Sequence, residues 1–151
     1  MSFKDLVVRS RSYRRFHEEM PVTAETLREL VDLARLGPSA ANLQPLRYLC
    51  VSGPEMRAKV FPLVAWAGYL KDWDGPAPGE RPAAYIIVLG DKAVITSFGV
   101  DPGIAAQTIC LGAAMKGLGG CMMGAIQRKE LRALFDISTQ YEILLVIALG
   151  Y

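Results

Sequence analysis

Hydrophobic residues recur along this chain at two different spacings. From Phe3 to about Arg9, and again after Thr23, they return every three or four residues, which predicts helices with one face on a core. Ser2 and Thr23 stand where side chains cap such helices, and the second helix is predicted to end at Gly37. Two shorter helices are predicted at 54–61 and 128–135.

Continuous apolar runs predict the strands. Ala84–Leu89 and Ile143–Leu149 are apolar throughout, which is typical of strands covered on both faces. Arg47–Val51 is a further predicted strand, and Cys121–Ile126 is predicted as a strand or an extended loop. Helices and strands follow no regular alternation of parallel units, so the pattern favours an α+β layered fold. The 151 residues suit one domain, residues 1–151.

One helix is apolar on nearly all sides. Asp101 is expected to cap it, Pro102 to be its first residue, and Gly117 to end it. A helix of this composition is expected to be buried, and in a domain this small the burial can require a second subunit.

Charge and composition exclude several kinds of chemistry. The net charge is only +2, and three cysteines with one histidine form no zinc, disulfide or nucleophile pattern, so neither a metal site nor a catalytic side chain is expected. The longest apolar run, Ile143–Leu149, is far shorter than the roughly 20 residues of a membrane span. The N-terminus has no secretory pattern, which predicts a cytoplasmic protein without a membrane partner.

Basic residues cluster in Arg11-Ser12-Tyr13-Arg14-Arg15-Phe16. Around the Ser12 hydroxyl, Arg11 and Arg14 can converge on a phosphate or another anion, because a guanidinium binds oxygens in pairs. A solvated basic turn is the alternative. Nucleic acid is not the expected partner, since the other basic residues are scattered.

A second motif, Pro38-Ser39-Ala40-Ala41-Asn42-Leu43-Gln44-Pro45, leaves the second helix. Its prolines fix the backbone direction, while Ser39 and Asn42 offer hydrogen bonds. Ala40 and Ala41 allow a flat ring to approach. An ordinary connection rich in turn-forming residues remains the alternative.

The two motifs together resemble the FMN-dependent nitroreductase family. The resemblance continues in Asp101 to Gly103, in Gln107, in Gly117-Leu118-Gly119 and in the closing Ala148-Leu149-Gly150, so it spans almost the whole chain in the family's order. It implies an α+β fold with a central, mostly antiparallel sheet flanked by helices. It also implies a homodimer with FMN at the subunit interface, the apolar helix forming part of that interface.

The resemblance also assigns residues to the flavin. Arg11, Ser12 and Arg14 match the segment that holds the phosphate, the ribityl chain and the pyrimidine edge. Pro38, Ser39, Ala40 and Asn42 match the segment that reaches the flavin of the other subunit. Met123, Gly124 and Ala125 match the backbone placed against the ring near N5.

The implied activity is hydride transfer from NAD(P)H through FMN to nitroaromatic, quinone-like or other conjugated acceptors by a ping-pong mechanism. Such chemistry needs no protein nucleophile, because the cofactor carries it. Trp66, Tyr69 and Trp73 are candidates for the walls of a slot for one planar partner, with ordinary core packing as the alternative. The rival functions are a non-catalytic flavin-binding or interaction protein and a flavin-consuming or dehalogenating relative.

The sequence departs from the family's pattern in two places. Members usually continue beyond the last strand into a tail that embraces the partner and often carries a basic residue for the FMN phosphate, whereas this chain stops at Tyr151. The first basic position of the arginine motif is Ser10. Three alternatives follow: Arg11 with Arg9 or Arg15 holds the phosphate alone, or FMN binds weakly, or the polypeptide is a shortened version of a family member.

Overall fold

The computed structural model describes residues 1–151. Five helices and four strands follow one another as α1 (Phe3–Arg9), α2 (Ala24–Arg35), β1 (Leu46–Val51), α3 (Pro54–Val60), β2 (Ala84–Asp91), α4 (Asp101–Met115), β3 (Gly119–Met123), α5 (Arg128–Phe135) and β4 (Tyr141–Gly150). Short 3-10 turns occur at Ala40–Asn42 and Phe61–Leu63. The mixture of elements confirms the α+β class.

The four strands form one sheet in the order β1-β2-β4-β3. Each neighbouring pair is antiparallel. The segment predicted at Cys121–Ile126 is a strand only as far as Met123, and Ile126 instead makes an isolated antiparallel bridge with Val64. The central strands β2 and β4 are therefore flanked by β1 at one edge and β3 at the other.

The two faces of the sheet belong to two different cores. All eight residues of β2 are buried, as predicted for a strand covered on both sides. Ile86 and Val88 pack with residues of α2 and α4, while Tyr85 and Ile87 pack with residues of α3 and α5. Alternate side chains of a strand point to opposite faces, so a helical layer covers each side.

Two of the three predicted helix caps are confirmed. The Ser2 hydroxyl accepts a hydrogen bond from the Asp5 N–H at 3.2 Å, and the Thr23 hydroxyl accepts one from the Thr26 N–H at 3.1 Å. The prediction for Asp101 is wrong, because Val100 occupies the cap position and Asp101 is the first helical residue. Its carboxyl group instead accepts a hydrogen bond from the Ala40 N–H, at 3.0 Å.

Helix α4 is buried largely by its own chain. Eight of its fifteen residues are buried, as the apolar composition predicted. Its most accessible side is a stripe at four-residue spacing, formed by Gly103, Gln107, the half-buried Leu111 and Met115. No helix in the structure combines the length and apolar character needed to cross a membrane.

Candidate functional site

The arginine segment lies beside the edge strand β3. Ser12 forms a parallel bridge with Gly120, and the Tyr13 N–H donates a hydrogen bond to the Gly120 carbonyl at 3.0 Å. At Gly119, a Cβ atom would stand only 2.7 Å from the Tyr13 ring. Glycine at this position therefore lets the segment run closely along the sheet edge.

An open cavity of about 450 Å³ lies over this segment. Ser12 and Arg14 line one side, and Leu70 and Trp73 line the other. The half-buried Arg14 guanidinium stands 5.6 Å from the centroid of the Tyr69 ring and donates to the Ser12 carbonyl at 3.3 Å. The volume falls within the range of small-molecule sites.

The arginines of the segment differ in what they contact. Arg15 forms an exposed ion pair with Glu80 at 3.6 Å. Arg9, which precedes the segment, lines a separate cavity of about 130 Å³. Arg11 is exposed, lies outside the larger cavity, and has no acidic partner, and neither has Arg14. Arg14, which lines the cavity with Ser12, and the exposed Arg11 therefore both remain available to an anion.

The positive charge of Arg14 also reaches β3. Burial raises the pKa of the Cys121 thiol, and the Arg14 guanidinium beside it partly offsets that rise. Cys121 is buried and lies one residue after Gly120, which contacts Ser12 and Tyr13 through its backbone. The thiol is therefore a packed core group at the base of an electropositive surface.

The backbone of the Pro38–Pro45 loop is unusual. Ala41, Asn42 and Gln44 all have left-handed conformations, with φ of 49°, 53° and 50°. Such conformations cost free energy for residues with a side chain, on the order of 1 kcal/mol each, unless surrounding contacts hold them. Here the Ser39 hydroxyl accepts a hydrogen bond from the Gln44 N–H at 2.9 Å.

Beneath this loop lies a second cavity of about 180 Å³. Pro38, Ser39 and Gln44 line it from the loop, Asp101 from the start of α4, and Tyr48 from β1. Burial raises the pKa of Tyr48, so the phenol keeps its proton and remains a hydrogen-bond donor. Ala40 and Asn42 are exposed above this cavity.

The third predicted segment follows β3. Met123 is buried, whereas Gly124 and Ala125 are exposed. The Ala125 carbonyl accepts a hydrogen bond from the Ala65 N–H at 3.0 Å. A Cβ atom at Gly124 would meet nothing within 4 Å, so the backbone there faces open space. β3 thus links this segment to the arginine segment within one chain.

The Pro38–Pro45 loop, in contrast, lies far from the other two segments. It leads into β1 and contacts the first residue of α4, whereas the arginine segment borders β3, which follows the last turn of α4. A helix of fifteen residues is about 22 Å long, and four strands place the sheet edges about 14 Å apart. The two motifs therefore occupy opposite ends of α4 and opposite edges of the sheet.

Comparison with known proteins identifies this arrangement. A model described as the nitroreductase family matches residues 7–151. The chain belongs to the nitroreductase family. A protein of Methanothermobacter thermautotrophicus named "Putative NADH dehydrogenase/NAD(P)H nitroreductase" is 30% identical over 95% of this chain and 74% of its own length.

Other relatives extend the comparison. "Putative NAD(P)H nitroreductase YodC" of Bacillus subtilis is 24% identical over 97% of this chain and 87% of its own length. The solved structure of a nitroreductase from Exiguobacterium sibiricum, described as putative and in complex with FMN, superposes with a TM-score of 0.80 at 19% identity. It covers 99% of this chain and 88% of its own. The predicted resemblance and the nitroreductase fold are both confirmed.

The residues of this nitroreductase-family chain fit an FMN group in three respects. The unpaired Arg11 and Arg14 suit a phosphate and an electron-rich ring edge. The cavity beside Arg14 is large enough for part of a flat ring. The open backbone at Gly124 allows a ring to approach without meeting a side chain.

The aromatic residues proposed as walls divide into two groups. Tyr69 is exposed beside Arg14, and Trp73 lines the larger cavity. Trp66 is buried and packs against Phe61, with ring centroids 6.1 Å apart, so for this residue the core alternative holds.

The sequence patterns do not indicate several of the residues that line the two cavities, Leu70 and Asp101 among them. Leu70 carries no recognisable signal, because a single leucine in a long loop is uninformative. The local sequence predicts a helix cap at Asp101, and nothing in it indicates the contact with Ala40, 61 positions away.

Proposed function

We propose that this chain is an FMN-dependent oxidoreductase that uses NAD(P)H to reduce nitroaromatic, quinone-like or other conjugated acceptors. Membership of the nitroreductase family supports this function, as do the names of the relatives, which include NAD(P)H nitroreductase. The FMN complex of the Exiguobacterium protein supports the choice of cofactor. The proposed working form is a homodimer with FMN at the interface.

The observation that carries the proposal is the separation of the two motifs. Each lines its own cavity, at opposite ends of α4, so each chain holds two incomplete halves of a site. In the proposed dimer, the two-fold axis runs perpendicular to the two copies of α4 and makes them antiparallel, so that the arginine segment of one protomer meets the Pro38–Pro45 loop of its partner. The accessible stripe of α4, from Gly103 to Met115, provides a surface for that contact.

The residues of the first half bind and orient the anionic parts of the cofactor. Arg11 and the Ser12 hydroxyl are assigned to the phosphate and ribityl end, and Arg14 to the pyrimidine edge. A guanidinium fixed there favours negative charge on that edge, which is the electrostatic role a protein plays in such reactions. When bound, FMN supplies the hydride-accepting and hydride-donating chemistry.

The remaining residues shape the slot. Gly124 and Ala125 offer backbone to one part of the ring, and Pro38, Ser39, Ala40 and Asn42 of the partner close the other side. Tyr69 and Trp73 flank the open cavity. A slot with room for one planar molecule makes NAD(P)H and the acceptor use it in turn, which is ping-pong turnover.

Two measurements on the purified protein test the proposal. Visible absorbance at about 450 nm, with FMN identified after denaturation, tests the cofactor. Anaerobic bleaching by NADH or NADPH, followed by recovery of the colour when a nitroaromatic or quinone is added, tests the catalysis. We expect both.

The rival functions give different results. Protein that binds FMN but never bleaches is a flavin-binding protein, and the catalytic proposal then fails. Protein that neither carries FMN nor binds it in a titration overturns the cofactor assignment itself.

A further inference from the structure

Strain in the Pro38–Pro45 loop calls for an explanation. Ala41, Asn42 and Gln44 adopt left-handed backbone conformations without being glycine. Backbone in such conformations persists only where surrounding contacts determine it, and it clusters at functional sites. The groups that hold this loop are therefore candidates for a role in function.

The anchors come from three parts of the fold. The Asp101 carboxyl accepts a hydrogen bond from the Ala40 N–H at 3.0 Å, at the start of the 3-10 turn. At the other end, Arg47 donates to the Gln44 carbonyl at 3.1 Å, and the Asp91 N–H donates to the Pro45 carbonyl at 2.8 Å. Asp101 is the anchor that ties the turn to α4.

The burial of the Asp101 carboxyl group carries a free-energy cost. Its exposed fraction is 4%, and burying a carboxyl group is unfavourable unless it is hydrogen-bonded. The first turn of α4 reduces that cost, because the helix N-terminus favours negative charge. Yet the side chain caps no N–H of α4, and its one hydrogen bond goes to Ala40.

We propose that Asp101 is a positioning residue that presets the strained Ala40–Gln44 turn for the flavin held by the partner protomer. The inference rests on the proposed function, and it adds a residue that does not itself touch the cofactor. Asp101 fixes the backbone of Ala40, and through it the neighbouring Asn42. A turn that is held in this way before FMN binds does not have to be ordered by binding.

Hydrogen exchange in the cofactor-free full-length protein reads out this role without any activity measurement. In Asp101→Ala, we expect amides of residues 40–44 to exchange at least about tenfold faster, since the hydrogen bond from the Ala40 N–H to the carboxyl group is lost. Asp101→Asn keeps an acceptor oxygen but makes a weaker bond, so an increase of roughly threefold is expected. If Asp101→Ala does not fold, the exchange rates of Asp101→Asn test whether Asp101 orders the turn.

FMN titration by fluorescence quenching provides the second readout. Asp101→Ala is expected to weaken FMN binding about tenfold, and Asp101→Asn less. The control is Ile143→Val, which removes a methylene from the core on the opposite face of the sheet and leaves the loop untouched. It should lower thermal stability without changing loop exchange or FMN affinity.

The outcomes separate this proposal from the proposed function. If loop exchange in both Asp101 variants equals that of the wild type, or if Ile143→Val accelerates it equally, Asp101 does not position the turn. Accelerated loop exchange with unchanged FMN affinity also overturns the proposal, because the turn then has no part in binding. If wild-type protein fails to bind FMN, the proposed function fails, while the exchange result still decides whether Asp101 orders the turn.

Discussion

The two halves of the candidate site, the arginine segment and the Pro38–Pro45 loop, differ in backbone conformation and in the partners of their polar groups. In the arginine segment, a single bridge at Ser12 joins the backbone to β3, and the side chains without acidic partners are Arg11 and Arg14. In the Pro38–Pro45 loop, the backbone is strained, and the polar groups of Ser39 and Gln44 are already joined to each other.

This difference suggests a separate contribution of each half to the proposed FMN site. In the proposed site, the first half would contribute charge through Arg11 and Arg14, which have no acidic partners. The second half contributes shape, which depends on contacts reaching it from α4, β1 and β2. Losing a side chain should therefore damage the first half most, whereas losing an anchor should damage the second.

The largest effect is expected from Arg14→Ala. It removes the half-buried cation of the larger cavity, and charge-assisted hydrogen bonds are the strong ones, so FMN affinity should fall roughly ten- to a hundredfold. Fluorescence titration of cofactor-free protein measures the change. Lys129→Ala makes the same change of charge at an exposed position with no polar partner, and equal losses in the two variants would remove Arg14 from the site.

Two glycine substitutions distinguish a tightly packed position in the first half from one that faces open space. In Gly119→Ala, the new Cβ would collide with Tyr13, so the free energy of unfolding should fall by about 1–3 kcal/mol. Gly124→Ala has open space around its Cβ and should leave stability unchanged. Urea denaturation of both variants checks the pair, and similar losses would contradict the contact with Tyr13.

Acid should weaken the second half through Asp91. The hydrogen bond from Gln140 lowers the pKa of this carboxyl, with smaller help from the Ala93 N–H and from Arg47, against the opposing effect of burial. The unfolded chain, with an Asp pKa of about 3.9, therefore takes up protons first. Stability from this group is present above that value and is lost as pH falls through the lower folded-state pKa.

Urea denaturation between pH 6 and pH 3 tests this dependence. Asp91→Asn cannot titrate, so its stability should fall less steeply below about pH 4 than that of the wild type. An unchanged slope in Asp91→Asn would show that Asp91 does not couple this part of the fold to pH.

The smallest expected effect concerns the strain itself. Ala41 is left-handed and Ala40 is not, so glycine should relieve strain at the first position and only add flexibility at the second. We expect Ala41→Gly to be more stable than Ala40→Gly by about 1 kcal/mol in thermal unfolding. The reverse order would mean that the loop is not strained at Ala41.

Local patterns predicted most of the fold. The apolar runs placed β2 and β4, and the caps at Ser2 and Thr23 marked α1 and α2, because these signals depend on neighbours in sequence. The cap prediction for Asp101 is wrong, because the hydrogen-bond partner of its carboxyl group lies 61 positions away. A local pattern cannot distinguish a cap from a distant contact made by the same side chain.

For the candidate site, the sequence indicated the residues but not their separation. The resemblance named the arginine segment and the Pro38–Pro45 loop, and it implied that they serve different protomers. The sheet order, with β1 and β3 at opposite edges, separates the two motifs within one chain. The left-handed turn at Ala41 was also unpredictable, because alanine rarely adopts it.

A mixed-dimer experiment tests most directly whether two chains build one site. One variant carries Arg14→Ala, and the other carries Ser39→Ala with Asn42→Ala, so each homodimer has two defective sites. After unfolding and refolding at equal concentrations, half of the dimers are mixed, and each mixed dimer regains one intact site, so about a quarter of all sites should bind FMN with wild-type affinity. If the mixture binds no better than the separate variants, each flavin site lies within a single chain and the account is wrong.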